Sequence, residues 1–194
     1  MAAAPESKSP TPRRDAAATR ARILAAAQAA FAETGYSQAG MRQIAREARV
    51  DPALLVRYFG SKAALFEAAL ADTIPDLRQL EMPADFGSLL AGEVLGGLLD
   101  LRAQSMILLA IGSAEAREIC ARVLRTSVIE PMAARIGTPD AQVRAIRLVM
   151  IATGYTLFTS QVPLIGAAEA EASGTAAWLE ALVREIFAPP PQGE

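Results

Sequence analysis

The sequence predicts an all-α protein. Alanine, leucine and other strong helix formers are abundant, aromatic residues make up only 5% of the chain, and runs of β-branched residues are scarce. In several segments apolar residues recur at intervals of three and four positions, which is the helical period. With 194 residues the chain is long enough for one ordinary domain or for two small ones that share an interface.

Basic residues concentrate in the first third of the chain. Up to Lys62 there are ten Lys and Arg residues against five Asp and Glu residues, a formal charge of +5, although the whole chain carries −2. This division indicates that only the first third approaches a polyanion, and an ordinary solvated surface is the alternative. Residues 1–15, rich in Ala, Pro and Ser, are predicted to form a disordered basic arm because they cannot bury enough apolar surface.

The first helix is predicted over residues 16–33. Apolar residues from Ile23 to Phe31 follow the helical period, whereas Gln28 and the two arginines before it are expected to face elsewhere. Gly35 then provides a C-terminal stop for this helix.

Two short helices follow. Apolar residues from Met41 to Ala48 line one face of a helix only two turns long, which cannot be stable alone. Asp51 is a good N-cap, and Pro52 suits the first position of a second short helix that ends near Phe59. Two short helices joined by a tight turn are typical of a helix-turn-helix, here over about 40–59.

A fourth helix is predicted to begin after a Ser61 cap and to end or kink at Pro75. The sequence beyond it predicts further helices over 88–102, over 104–111, over 114–136 with a break near Pro131, over 140–161 after a Thr138 cap, and over 175–187.

The last two predicted helices carry the strongest signal for self-association. The helix over 140–161 has two apolar faces and therefore needs two partners, and the final helix has one apolar stripe. A four-helix bundle formed by two subunits would bury these faces, and an intramolecular core is the alternative. The residues expected at the dimer interface are Val143, Ile146, Met150, Leu157, Leu179, Leu182, Val183 and Ile186.

The longest uncharged run, residues 148–168, approaches the length of a membrane span. It contains several threonines, a serine, a glutamine and Pro163, so we interpret it as a buried or interfacial helix and expect no membrane partner.

Residues 19–70 resemble the DNA-binding domain of the TetR family. The most specific part is VDPALLVRYFGSKAALF, whose residues at the spacings typical of that family are Val50, Leu55, Tyr58, Phe59, Lys62 and Leu65. The resemblance implies a homodimeric transcriptional repressor. In such a protein residues 16–77 bind double-stranded operator DNA, and residues 78–194 bind a small-molecule effector and dimerise.

The resemblance also implies which side chains face the DNA. Those expected in the major groove are Ala53, Leu54 and Arg57, and the preceding helix contributes Arg42 and Gln43, which are expected on either bases or phosphate. Those expected on phosphates are Arg20, Arg22, Tyr58 and Lys62. The chain departs from the family at Gly40, where a hydroxyl residue is common, and at Val56, where an aromatic phosphate contact is usual.

The effector site is expected among the helices after residue 85. Candidate lining residues are Met106, Leu109, Cys120, Met150, Tyr155 and Trp178. The sequence offers no evident constellation of buried charges in this part of the chain, which favours an apolar or aromatic effector. A DNA-binding dimer without an effector is the alternative.

An enzyme is the rival from another class, and the composition argues against it. The sequence has no histidine, which removes Ser-His and Cys-His nucleophiles, and its single cysteine cannot build a thiolate metal site. We therefore expect no catalytic activity, no cofactor and no metal. The N-terminal segment lacks the apolar region of a signal peptide, so a cytoplasmic location is expected.

Overall fold

The computed structural model describes residues 12–79 and 101–187, and every regular element in these ranges is helical. In chain order the helices are α1 (Pro12–Gln38), α2 (Met41–Glu47), α3 (Pro52–Phe59), α4 (Lys62–Asp72), α5 (Leu101–Leu109), α6 (Ala114–Leu124), α7 (Glu130–Ile136), α8 (Ala141–Thr156), α9 (Ala167–Ala172) and α10 (Thr175–Phe187). The predicted all-α class is confirmed. Residues 88–100 of the helix predicted over 88–102 lie outside the described residues.

None of the described helices combines the length and the apolar character that a membrane span requires.

Helix α1 begins earlier than predicted. Its first residue is Pro12, so the disordered arm expected over 1–15 is wrong for its last residues, and the rest of that arm lies outside the described residues. The apolar face from Ile23 to Phe31 is buried as predicted. Gln28, expected to face elsewhere, is buried too, because its position one turn from both Leu24 and Phe31 places it on the same face.

The Gln28 side chain joins α1 to α4 by hydrogen bonds. Its Nε2 donates to the carbonyl oxygen of Ala69 at 3.2 Å and to Oδ2 of Asp72 at 2.9 Å. The buried amide nitrogen therefore has two acceptors, as a buried polar group requires.

The predicted stop at Gly35 is a kink. Gly35 has φ 77° and ψ 169°, a conformation open to glycine and scarcely to other residues, and a short helical stretch resumes after it up to Gln38. Glycine is also required by space, since a Cβ here would lie 3.1 Å from Cβ of Leu109 and 3.2 Å from its carbonyl oxygen. The kink thus lets α1 approach the end of α5 closely.

The helix-turn-helix has the predicted caps. The Asp51 carboxylate accepts a hydrogen bond from the backbone N–H of Ala53 at 2.7 Å, and Pro52 occupies the first turn of α3. The Ser61 hydroxyl accepts from the backbone N–H of Ala64 at 3.1 Å and caps α4. In the turn between α2 and α3, Arg49 adopts a positive φ of 54°.

The first hydrophobic core extends from α1 to α6. It contains the buried side chains of α1 to α4 together with Ala103, Met106, Ile119, Cys120 and Val123. Phe66 packs edge-on against Phe31 and Tyr36, with ring centroids 5.0 Å and 5.1 Å apart. This core crosses the predicted boundary at residues 77 and 78, so the two predicted domains share it.

Helices α6 and α7 form one continuous helix. A π-helical segment, Arg125–Ile129, joins them, and the backbone N–H of Glu130 bonds to the carbonyl oxygen of Arg125. The break predicted near Pro131 is therefore wrong. The wider π turn precedes the proline and keeps the chain helical through it.

The second core lies between α7, α8 and α10. Its members include Met132, Leu148, Leu179 and Val183. Helix α8 begins after Asp140, whose carboxylate accepts a hydrogen bond from the Thr138 hydroxyl at 2.6 Å, so Thr138 does not cap the helix as predicted. A π-helical segment, Leu157–Gln161, extends α8 to the predicted end, whereas the short helix α9 was not predicted.

We predict that Gly35→Ala costs about 3 kcal/mol of unfolding free energy or more, because it adds both backbone strain and a clash with Leu109. Gly137→Ala is the control. Gly137 is left-handed at φ 68°, and a Cβ there would meet only the carbonyl oxygen of Arg135 at 4.0 Å. It should cost about 1 kcal/mol. Urea unfolding monitored by circular dichroism measures both, and equal costs would contradict the close approach of α1 and α5.

Candidate nucleic-acid interface

Helix α3 is anchored by one side and exposes the other. Leu55 is fully buried, whereas Ala53 and Arg57, one turn apart, are both exposed as predicted. Val56 is 56% exposed on the same face, and Leu54 is half-buried at its edge. The exposed apolar side chain beside Arg57 is therefore that of Val56 and not that of Leu54. The helical period would have indicated this, since Val56 and Arg57 lie three and four positions after Ala53.

Helix α2 contributes more cations than predicted. Arg42 is exposed, and the half-buried Gln43 donates its Nε2 to Oε1 of Glu47 at 3.0 Å. Arg46, near the end of α2, and Arg49, in the turn, are exposed as well. Sequence reasoning missed these two arginines, although the excess of positive charge in this segment was the signal that included them.

The two predicted arginines of α1 lie at its exposed surface. The Arg20 guanidinium lies 5.4 Å from the centroid of the Phe59 ring, a cation–π contact that joins α1 to the end of α3. Arg22 donates to the Thr19 hydroxyl at 3.4 Å and is otherwise exposed.

Tyr58 and Lys62 lie at the junction of α3 and α4. The half-buried Tyr58 ring has its centroid 6.4 Å from that of Phe59. The Lys62 ammonium donates to the carbonyl oxygen of Ser37 at 3.3 Å and lies 4.9 Å from the centroid of the Tyr36 ring. Burial lowers the pKa of Lys62. Lys62 thus holds the start of α4 against the end of α1.

The helix-turn-helix presents positive charge that is not neutralised within the described part of the chain. No described carboxylate pairs with the exposed arginines of the helix-turn-helix and of the adjoining part of α1, which are Arg20, Arg22, Arg42, Arg46, Arg49 and Arg57. Unpaired arginines around a protruding helix produce a positive potential that suits a polyanion.

Polar contacts join this unit to α6. The Tyr36 hydroxyl donates to Oε2 of Glu115 at 2.5 Å, and burial together with this bond raises the pKa of Tyr36 to about 12. Arg122 makes a two-pronged pair with Glu67 of α4, at 3.0 Å and 2.8 Å, which lowers the pKa of the Glu67 carboxyl. Helix α6 is therefore bonded to both α1 and α4, the helices that flank the helix-turn-helix.

The six candidate effector residues do not lie together. Met106 and Cys120 are buried in the first core, where burial raises the pKa of the Cys120 thiol to about 11. Tyr155 packs at the edge of the second core, and burial raises the pKa of its hydroxyl. The remaining three are exposed: Leu109, Met150 and Trp178. Periodicity identified the apolar positions but not which helix faces meet.

The candidate dimer residues divide into two groups. Val143, Ile146 and Met150 are exposed on the outer face of α8, with Met150 at 68%, while Leu157 and Leu182 are half-buried. The prediction is corrected for the other three, which are buried within the chain against α8 and are not available to a partner: Leu179, Val183 and Ile186.

A capped helix-turn-helix that exposes unpaired arginines and shares its core with further helices is typical of a helix-turn-helix regulator. The family model "Bacterial regulatory proteins, tetR family" matches residues 23–69, and "Tetracyclin repressor-like, C-terminal domain" matches residues 86–187. The chain belongs to the TetR family.

Similar known proteins include one that matches part of the sequence and others that match the fold over most of the chain. The HTH-type transcriptional repressor SCO4008 of Streptomyces coelicolor is 42% identical over 72 residues, which are 37% of this chain and 37% of that protein. A TetR-family regulator from Rhodococcus sp. has the same fold, with a TM-score of 0.68 and 21% identity over 89% of this chain and 100% of its own. The multidrug binding protein EbrR complexed with ethidium has a TM-score of 0.61 and 19% identity over 88% of this chain and 99% of its own.

We predict that Tyr36→Phe lowers the unfolding free energy by about 2 kcal/mol below pH 9, since it deletes a partly buried hydrogen bond to a carboxylate. The pKa of the folded phenol is raised from 10.0 to about 12. Its contribution to stability is therefore complete below pH 10 and is lost as the pH rises to 12. Urea unfolding from pH 8 to 11.5 should show the two proteins converging. Tyr58→Phe is the control, and a constant difference for Tyr36→Phe would contradict the assignment.

Proposed function

We propose that the protein is a sequence-specific DNA-binding repressor whose α3 enters the major groove. The observation that carries this proposal is the exposed face of α3, where an unpaired arginine, Arg57, stands beside the apolar Ala53 and Val56. Arginine donates two hydrogen bonds to guanine O6 and N7, and small apolar side chains contact the thymine methyl group. This face therefore favours a site in which G·C and A·T pairs are neighbours.

The side chains around α3 suit the DNA backbone. Arg20 and Arg22 on α1, Arg42 on α2, and Tyr58 with Lys62 near the start of α4 are the proposed phosphate contacts, and Gln43 is proposed to reach the groove once released from Glu47. Arg46 and Arg49 extend this cationic surface. Their charge compensates for the hydroxyl and aromatic contacts that Gly40 and Val56 do not supply.

A homodimer supplies the second recognition helix. We propose that the outer face of α8, with Val143, Ile146 and Met150, packs against the same face of a second copy. Trp178, 57% exposed on α10, and the half-buried Leu182 extend this apolar surface. Two copies related by a two-fold axis would bind a palindromic operator with half-sites one turn of DNA apart.

An effector is proposed to release the dimer from DNA. A ligand that binds preferentially to the spacing unsuited to DNA shifts the population away from the operator. The Tyr36–Glu115 and Glu67–Arg122 contacts would transmit that shift from α6 to α1 and α4. EbrR, which has the same fold, was solved with ethidium, which supports a small-molecule ligand for this chain. We propose regulation in the cytoplasm and no catalysis.

We predict that Arg57→Ala weakens binding to the operator by about 1–3 kcal/mol and relaxes preference at one base pair in each half-site. Short duplexes from the DNA that flanks the coding region, titrated by fluorescence anisotropy at fixed salt, provide the test. Arg125→Ala is the matched control, because Arg125 is exposed on the C-terminal half, away from α3. Equal affinity of the two variants for every duplex would contradict the role of α3.

Arg42→Ala distinguishes phosphate contact from base recognition in the same assay. It should weaken binding to all sequences alike and reduce the slope of log affinity against log salt by about 0.9 for each phosphate that the variant no longer neutralises. A change of base preference without a change of slope would instead assign Arg42 to the groove.

We predict that Met150→Glu weakens dimerisation roughly 100-fold or more and abolishes operator binding, since a two-fold interface would bury two unpaired carboxylates. Sedimentation velocity over a range of protein concentrations measures the effect. Ile111→Glu is the control, because Ile111 is exposed between α5 and α6, away from α8. A dimer that tolerates Met150→Glu and fails with Ile111→Glu would place the interface elsewhere.

A further inference from the structure

Two buried polar side chains have no hydrogen-bond partner within the described part of the chain. Gln104 of α5 is 4% exposed and both its Nε2 and its Oε1 lack a partner; Thr156, the last residue of α8, is 3% exposed and its hydroxyl lacks one. Gln28, also buried, has both of its acceptors within the chain. Buried amides and hydroxyls are ordinarily satisfied, so the two unpartnered groups point to a ligand that the protein is built to bind.

One hydrogen-bonded contact brings together the two segments that carry these groups. The Gln161 side chain donates to the carbonyl oxygen of Leu101 and to the Ser105 hydroxyl, both at 3.2 Å, and thereby holds the first turns of α5 against the end of α8. Gln104 directly precedes Ser105, and Thr156 directly precedes the π-helical segment that carries Gln161. Gln104 and Thr156 thus belong to the same end of the helical body.

The residues around Gln104 and Thr156 indicate which class of ligand would bind there. The buried residues nearest to Gln104 and Thr156 along their own helices are apolar: Ala103 directly precedes Gln104, and Ala152 lies one turn before Thr156. No buried residue in the described ranges is ionised, so a charged group would find no buried counter-ion there. An amide side chain offers one acceptor and two donors, and a hydroxyl offers both, so a neutral group that itself donates and accepts would satisfy them.

We propose that Gln104 and Thr156 form the polar subsite of the effector pocket, and that the effector is a mainly apolar molecule with a neutral donor–acceptor group such as a carboxamide. This inference rests on the proposed function, since it specifies the class of molecule that would release the repressor. Of the six candidate effector residues, it retains those nearest to the two polar residues in sequence, Met106 and Tyr155.

Benzamide is the test probe, compared with toluene, benzoate and benzamidine at the same concentrations. Protein-observed ¹H–¹⁵N NMR follows the side-chain amide resonances of Gln104, assigned by their loss in Gln104→Leu. Benzamide should shift these resonances saturably and bind more tightly than the two charged probes. Gln104→Leu and Thr156→Val should each weaken benzamide binding by about fivefold to tenfold without weakening toluene. Gln142→Leu, which removes an exposed amide on α8, should not change it.

A second measurement tests the unpartnered state itself. Because Gln104→Leu removes a buried polar group that has no partner, the unliganded variant should unfold at the same urea concentration as the wild type or a higher one. A lower midpoint, or equal affinities of Gln104→Leu and Gln142→Leu for benzamide measured on backbone amide resonances, would overturn the subsite. Tighter binding of benzoate or benzamidine than of benzamide would overturn the proposed ligand class.

The operator titration separates this inference from the proposed function. The wild-type protein is titrated with operator duplexes and, separately, with benzamide. Benzamide binding without any sequence-selective DNA binding would support the subsite and refute the repressor. Operator binding without benzamide binding would do the reverse.

Discussion

The packing of α1 against α4 and α5 is the interaction on which the rest of the structure depends. Phe31, Tyr36 and Phe66 form its aromatic centre, with Phe66 edge-on to both of the others. Helices α2 and α3 are too short to be stable alone, and they are held to this core by Ile44, Ala45 and Leu55. The exposed face of α3 is therefore as rigid as the core beneath it, which is what a base-reading helix requires.

Because the first core includes α5 and α6, the DNA-reading unit and the helical body cannot move independently. Gly35 brings α1 within van der Waals distance of Leu109, and Glu115 bonds to Tyr36 on the same side. A displacement of α5 or α6 must therefore be taken up by α1 or α4, since packed interiors do not compress. Direct packing therefore couples α1 and α4 to α5 and α6, which a flexible linker between two separate domains would not do.

Local signals in the sequence predicted most of the helix-turn-helix. The Asp51 and Ser61 caps, the proline at the start of α3 and the glycine in α1 act within one turn of the chain, so their effects do not depend on the rest of the fold. Predictions failed where the outcome depends on which helix faces meet. Gln28 is satisfied by α4, and Val183 is buried by α8, and neither partner is visible in the periodicity of a single helix. The candidate pocket failed for the same reason, because its apolar residues belong to several different surfaces.

Under the proposed function, α8 packs in the core with one face and against a second copy with the other. Its inner stripe contains small residues, Ala145 and Ala152, on either side of Leu148, and these allow α10 to pack closely. The stripe ends at Thr156, where apolar packing gives way to an unpartnered hydroxyl. The outer stripe, from Val143 to Met150, is exposed. Under the proposed function, a ligand bound at Thr156 would therefore act on the same rigid helix that forms the dimer interface. A small rotation of α8 would then change the separation of the two α3 helices.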